Sequence, residues 1–191
     1  ASGHRAQVAS DPPGAFLFAD SNDFAFQSET ADEFAVRATG GVRFVTAIDE
    51  HGDPITGITS SAGSGAWSTL SDRATKADIF PVDREQILAS LANLPISTWR
   101  YMGQDSSIQH IGLMAQDFYA SFGLGEDERH ISTVDADGVS LAAIQELYSI
   151  VNGQEAKINT LEAQAKTMQT ALILCGCVLI MLLWKNIPKH I

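Results

Sequence analysis

LAAIQELYSIVNGQEAKINTLEAQAKTMQT, residues 141–170, is the stretch on which the architecture turns. Ile144, Leu147, Val151, Gln154, Ile158, Leu161, Ala165 and Met168 alternate spacings of three and four, and Glu146, Glu155, Lys157, Glu162 and Lys166 lie off that line. Such a seam repeats every 3.5 residues and predicts a coiled coil, with Gly153 a local weak point. The alternative is one amphipathic helix packed on its own domain. Ile, Val and Ile at the first three a positions do not choose between two strands and three.

Downstream the same register passes through Leu172, Cys175, Leu179 and Leu182, and every residue from Ala171 to Trp184 is apolar. Fourteen residues span about 21 Å as a helix, short of a hydrocarbon core of about 30 Å. Thr167–Thr170 extend the run, and Lys185 can snorkel. A core helix or a re-entrant piece is the competing reading, but nothing after this run can cover it all round. The expectation is a single-pass C-terminal anchor over 171–184 in contact with membrane lipid, with a short tail over 185–191. Lys157 and Lys166 on one side balance Lys185 and Lys189 on the other, so charge does not orient it.

Upstream, residues 71–140 mix signals. Asp83–Asn93 has helical apolar spacing through Ile87, Leu88 and Leu91, and Pro95 follows. Ser97–Met102 and Ile108–Met114 predict strands, with Trp99 and Tyr101 on one face. Ala115–Phe122 predicts a short helix closed by Gly123, and His130–Val134 a third strand. A unit of about 70 residues buries little surface alone and gains from oligomerisation.

Residues 1–70 carry strand signals. Phe16/Phe18, Phe24/Phe26, Phe34/Val36 and Val42/Phe44 are apolar pairs at spacing two, separated by turn-prone residues such as Asp20-Ser21-Asn22-Asp23 and Gly40-Gly41. Spacing two puts each pair on one strand face. Their recurrence predicts short stacked or intertwined strands with the aromatic stripe as core. Gly57–Gly65, rich in Gly, Ser and Thr, predicts a flexible connection up to Trp67.

Composition narrows the function. The formal net charge of −11 disfavours a nucleic-acid partner, which needs clustered Lys and Arg. Cys175 and Cys177 sit inside the apolar run, with no disulfide framework and no zinc-ligand pattern. No cofactor or metal is expected. With no initiator Met and no signal peptide, the chain is expected to be the C-terminal piece of something longer.

Ser71-Asp72-Arg73-Ala74-Thr75-Lys76 sets a hydroxyl and an amine five residues apart at the head of the α+β unit. A serine hydroxyl is a poor nucleophile until a base takes its proton, and a lysine accepts one only as the neutral amine, the form burial favours. Asp72 would oppose this if it faced the amine, and so is expected to point away. Alone, such a pair is most often a helix cap and a surface charge.

The surroundings add weight. Ser71-Asp72-Arg73…Lys76-Ala77-Asp78-Ile79 is followed by Leu94-Pro95-Ile96-Ser97-Thr98-Trp99-Arg100-Tyr101 and His110-Ile111-Gly112-Leu113-Met114-Ala115-Gln116-Asp117. Val134-Asp135…Gly138-Val139…Ala143-Ile144-Gln145-Glu146-Leu147 completes the series. Over about residues 71–165 this resembles the intramolecular chaperone domain of phage endosialidases and tail fibres, the S74 peptidase family, related to a domain of the myelin regulatory factor. The resemblance implies a homotrimer that helps an upstream β-structured passenger assemble and is then released by cleavage before the motif serine. Carried over, it implies Ser71 as nucleophile, Lys76 as its base, Leu70-Ser71 as the scissile bond and His110 as a supporting histidine. Read alone, His110 is equally a satisfied polar residue at a strand end. Ala74-Thr75 depart from the longer or more polar pair that many members carry beside the lysine.

The expected architecture is mixed: a β-rich stalk or passenger end over 1–70, an S74-type domain over 71–140, a trimeric coiled coil over 141–170 and a single transmembrane helix over 171–184. The expected activity is that of an autoproteolytic serine peptidase acting in cis, once. Its rivals are a trimerisation and membrane-anchoring module of a surface or fibre protein that never cuts, and a peptidase acting on other proteins.

Overall fold

Phe16-Leu17-Phe18-Ala19 shows how the first unit is built. The computed structural model describes residues 2–8 and 14–185, and the chain divides into two compact units at Phe80/Pro81. In the first, β1 (Ser2–Gly3), β3 (Phe16–Ala19) and β5 (Phe34–Arg37) form a parallel sheet in the order β1-β3-β5. Strands β2 (Ala6–Gln7) and β4 (Phe26–Gln27) form a second parallel pair. Phe16 stands opposite Phe34 and Ala19 opposite Arg37, so the chain stacks on itself along its own repeat.

The stacking inverts one expectation. Leu17 (0 % exposed) and Ala19 (1 %) fill the interior, whereas Phe16 and Phe18 are 50 % and 40 % exposed and Phe34 is 69 % exposed. The aromatic stripe therefore lies outside the single chain, where the Phe16 and Phe34 rings stack at 5.3 Å. Phe24 lies before β4 and is exposed. The Asp20–Asn22 turn is fastened to the end of β5. The Arg37 guanidinium donates to Asp20 Oδ1 (3.0 Å) and to the carbonyls of Asn22 (2.9 Å) and Phe24 (2.7 Å).

Next comes an antiparallel sheet in the order β6-β7-β8, from β6 (Gly41–Ile48), β7 (Pro54–Ser61) and β8 (Ser68–Thr69). The stretch expected as a flexible connection thus supplies the end of β7. Ile58 and Thr59 suit a ladder and override the Gly and Ser around them, so only the segment after Ser61 is left to turn the chain.

In the second unit, α1 (Arg84–Asn93) starts where Asp83 Oδ1 accepts the Gln86 N–H at 3.0 Å, a side-chain cap. Strands β9 (Ser97–Trp99) and β10 (His110–Gly112) pair antiparallel, Trp99 opposite His110. Helix α2 (Ala115–Phe122) ends at Gly123, whose φ of 62° lies in the left-handed region glycine adopts without penalty. The core is Leu94, Phe118 and Val139, backed by Ile87, Leu91, Leu113, Phe122 and Ile131.

Helix α3 runs from Thr133 to Lys185. No strand forms over His130–Val134, because Ser132 takes up the cap: its hydroxyl accepts the Val134 N–H at 3.2 Å and the helix begins. The helix starts eight residues before Leu141, since Val139, Ala142 and Ala143 are buried on the unit's own core. The face carrying Ile144, Leu147, Val151, Ile158, Leu161 and Met168 is a different one, exposed along the helix. Packing on its own domain therefore does not account for the seam. Gly153 passes without interruption. Part of α3 reaches a mean hydropathy of 1.9, long and apolar enough by length and composition to cross a membrane. Of the expected tail, Lys185 still belongs to the helix, while residues 186–191, Lys189 among them, lie outside the described residues.

Candidate functional site

The candidate site grows from the edge of the β6-β7-β8 sheet. Thr69 and Ser68 stand opposite Ile58 and Thr59, and the ladder continues one residue further, where the Leu70 N–H donates to the Gly57 carbonyl at 3.0 Å. Ser71 follows, and there the chain bends. Asp72 caps a 3-10 turn over Arg73–Thr75: its Oδ1 accepts the Ala74 N–H at 2.9 Å, and its carbonyl accepts the Thr75 hydroxyl at 3.0 Å. The Lys76 N–H closes the turn on the Arg73 carbonyl at 3.2 Å.

That one turn brings the ends of the motif together. Lys76 Nζ donates to Ser71 Oγ at 2.5 Å. The Asp72 carboxylate is engaged as the cap, and among the described residues it makes no ion pair with the amine. Ser71 and Lys76 are both exposed in the single chain. The same contact, with the proton moved, is the one a neutral amine needs to accept the serine hydroxyl proton.

His110 belongs to the second unit, at the start of β10. Its ring packs against Trp99 (4.8 Å between centroids) and Tyr101 (5.7 Å). His110 Nε2 lies 2.9 Å from Gln104 Oε1, which also accepts the Tyr101 N–H at 3.2 Å. An oxygen that already accepts a backbone N–H faces the ring as an acceptor. Nε2 therefore carries a proton, and Nδ1 is free of that bond. Gln104 was not singled out from the sequence, where a lone Gln in a Gly/Asp/Ser loop carries no signal. Nor was Gly57, which is hidden in a run that looks like linker.

The family model of peptidase S74, chaperone of endosialidase, matches residues 71–123. The matched stretch begins at Ser71 and contains Lys76 and His110. It supports an intramolecular chaperone role in general. No curated protein matches the chain.

Proposed function

We propose that the chain is a self-cleaving intramolecular chaperone. It trimerises, helps an upstream β-structured passenger assemble, and cuts its own backbone between Leu70 and Ser71. The observation that carries this reading is the 2.5 Å contact of Lys76 Nζ with Ser71 Oγ at the first residue of the S74-matched segment.

The chemistry follows from that pair. Neutral Lys76 takes the hydroxyl proton as Ser71 Oγ attacks the Leu70 carbonyl carbon. The C–N bond then breaks, and the proton passes from Lys76 to the leaving amine, which stays on Ser71 as its own α-amino group. Water next adds to the Leu70–Oγ ester, its hydroxyl ending on the Leu70 carboxyl and its proton returning to Oγ. His110 serves in support, by orienting groups or relaying a proton.

Trimerisation joins to this through exposure. In the single chain water reaches the amine, and desolvation is what favours its neutral form. The exposed seam of α3 supplies a reason for chains to associate, and their association supplies cover for the dyad. A C-terminal helical clamp also raises the local concentration of strands that must register with one another, a slow non-local step. The apolar end of α3 anchors the trimer in a membrane as a single pass, so that cutting frees the passenger.

The test is the purified full chain on a denaturing gel with N-terminal sequencing. A fragment beginning at Ser71 is expected from the wild type, and none from Ser71→Ala. An intact wild-type chain in a folded trimer would overturn the proposal. It would leave a trimerisation and membrane-anchoring module that never cuts, the reading favoured by the exposure of both dyad side chains.

A further inference from the structure

The S74 match begins at Ser71, so the residues on the other side of the proposed scissile bond lie upstream of it. Four observations converge there. Trp67 packs its ring on Phe44 of β6 at 5.7 Å, anchoring the strand that leads to the bond. Ser68 and Thr69 then pair with Thr59 and Ile58. The Leu70 N–H is held by the Gly57 carbonyl, yet no hydrogen bond to the Leu70 carbonyl is found among the described residues. Finally, Gly57 is the one residue type its place admits: a Cβ there would meet the Phe44 carbonyl oxygen at 2.4 Å. Opposite it, the β6–β7 register slips by one residue after Val45. A bulge of this kind bends a strand and re-aims what it carries.

Peptidases commonly bind the residues before a scissile bond as an added antiparallel strand, the backbone fixing the chain while the reacting carbonyl stays open. The same arrangement is present here within one unit. We propose that the β6–β7 hairpin is the substrate-holding element of the self-cleavage reaction, with Gly57 as its positioning residue. It fixes Leu70 through its N–H and leaves the carbonyl free for Ser71 Oγ. This rests on cleavage at Leu70-Ser71. It goes beyond that reading by assigning part of the cutting machinery to the passenger side, outside the family segment. The passenger would thereby report on its own folding: until the hairpin forms and β8 docks, the carbonyl is not presented and the chain stays whole.

The test uses the full chain. Gly57→Val forces the hairpin strands apart, and Leu70→Pro removes the N–H that Gly57 holds while leaving Ser71 and Lys76 in place. Each should slow the appearance of the Ser71 fragment by about a hundredfold, the scale on which small misplacements act. The second measurement is independent of activity. In uncut Ser71→Ala chain the Leu70 amide should exchange its hydrogen about a hundredfold more slowly than in an unfolded chain, and Gly57→Val in that background should abolish the protection. If wild type cuts and Ser71→Ala does not, but Gly57→Val and Leu70→Pro cut at the wild-type rate, the hairpin assignment alone is overturned. A freely exchanging Leu70 amide in the Ser71→Ala chain overturns it as well, even where a variant fails to fold. If wild type never cuts, the proposed function itself fails.

Discussion

Lys76 reaches Ser71 because a three-residue turn, capped by Asp72, closes the distance between them. The turn makes Asp72 part of the scaffold, and this leads to two residue-scale predictions. Lys76→Arg should abolish cutting as fully as Lys76→Ala, because a guanidinium cannot give up its proton at usable pH although it still reaches the hydroxyl. Mass spectrometry of the purified chain after prolonged incubation checks it: any Ser71 fragment from Lys76→Arg counts against Lys76 as the base. Asp72→Ala removes the cap, typically worth about 1 kcal/mol. It should slow cutting without abolishing it, and Asp72→Asn, which keeps an oxygen acceptor, should restore most of the rate.

At the scale of elements, the end of the parallel stack depends on one carboxylate. Hydrogen bonds from Thr39, first from its hydroxyl (2.6 Å) and then from its backbone N–H (2.8 Å), hold the Asp20 carboxyl well below the usual carboxylate range. A group depressed on folding stabilises the fold above its unfolded value, about 3.9 for Asp, and loses that contribution as pH falls through the folded value. Asp20→Asn should therefore be less stable than wild type at neutral pH. The gap in Tm should close as the buffer is taken from about pH 4 towards stronger acid. A gap that stays constant across that window would assign the loss to packing instead. The seam of α3 makes the second prediction at this scale. Replacing Ile158 and Leu161 with Asp puts charges where chains would meet, which costs several kcal/mol per unpaired buried charge. Ultracentrifugation should show dissociation, and the Ser71 fragment should disappear with it. A monomer that cuts at the wild-type rate would mean that the dyad needs no cover from a neighbour.

For the whole molecule, the consequence concerns where stability resides. If three copies of α3 continue into a bilayer, the hydrophobic drive for helix association is lost there, and packing around Gly176 has to hold the bundle. The seam outside the bilayer would then supply most of the association. Deleting 171–191 should leave a trimer, soluble without detergent, that still yields the Ser71 fragment. The full chain should sediment with membranes and resist carbonate extraction. A full chain that is monodisperse in plain buffer would instead make the apolar stretch an interior helix of the assembly.

What was legible in the sequence was whatever depends on near neighbours along the chain. The spacing of Ile87, Leu88 and Leu91 and the stop at Gly123 are local, so α1 and α2 appear where the pattern put them, and α3 runs through the expected seam although it starts eight residues before it. The Ser71/Lys76 pair was legible only through the blocks of sequence around it, since a serine and a lysine five apart are most often a helix cap and a surface charge. The Asp72-capped turn that joins them appears only in the structure. Contacts across the chain were not legible. Spacing two says that Phe16 and Phe18 share a face but not which face is inside. Stacking against β5 decided that, and it buried Leu17 and Ala19 instead. His130–Val134 looked like a strand until Ser132 capped a helix whose first turns pay for themselves by burying Val139. Gly57 looked like linker because its two roles, passing close under the Phe44 carbonyl and holding the Leu70 N–H, exist only once three consecutive strands lie side by side. The sequence by itself therefore determined α1, α2 and the long run of α3, and it marked Ser71 and Lys76 as a candidate pair. Only the tertiary structure decided which faces are covered and what holds the Leu70 N–H, because burial and backbone pairing are properties of segments that meet only on folding.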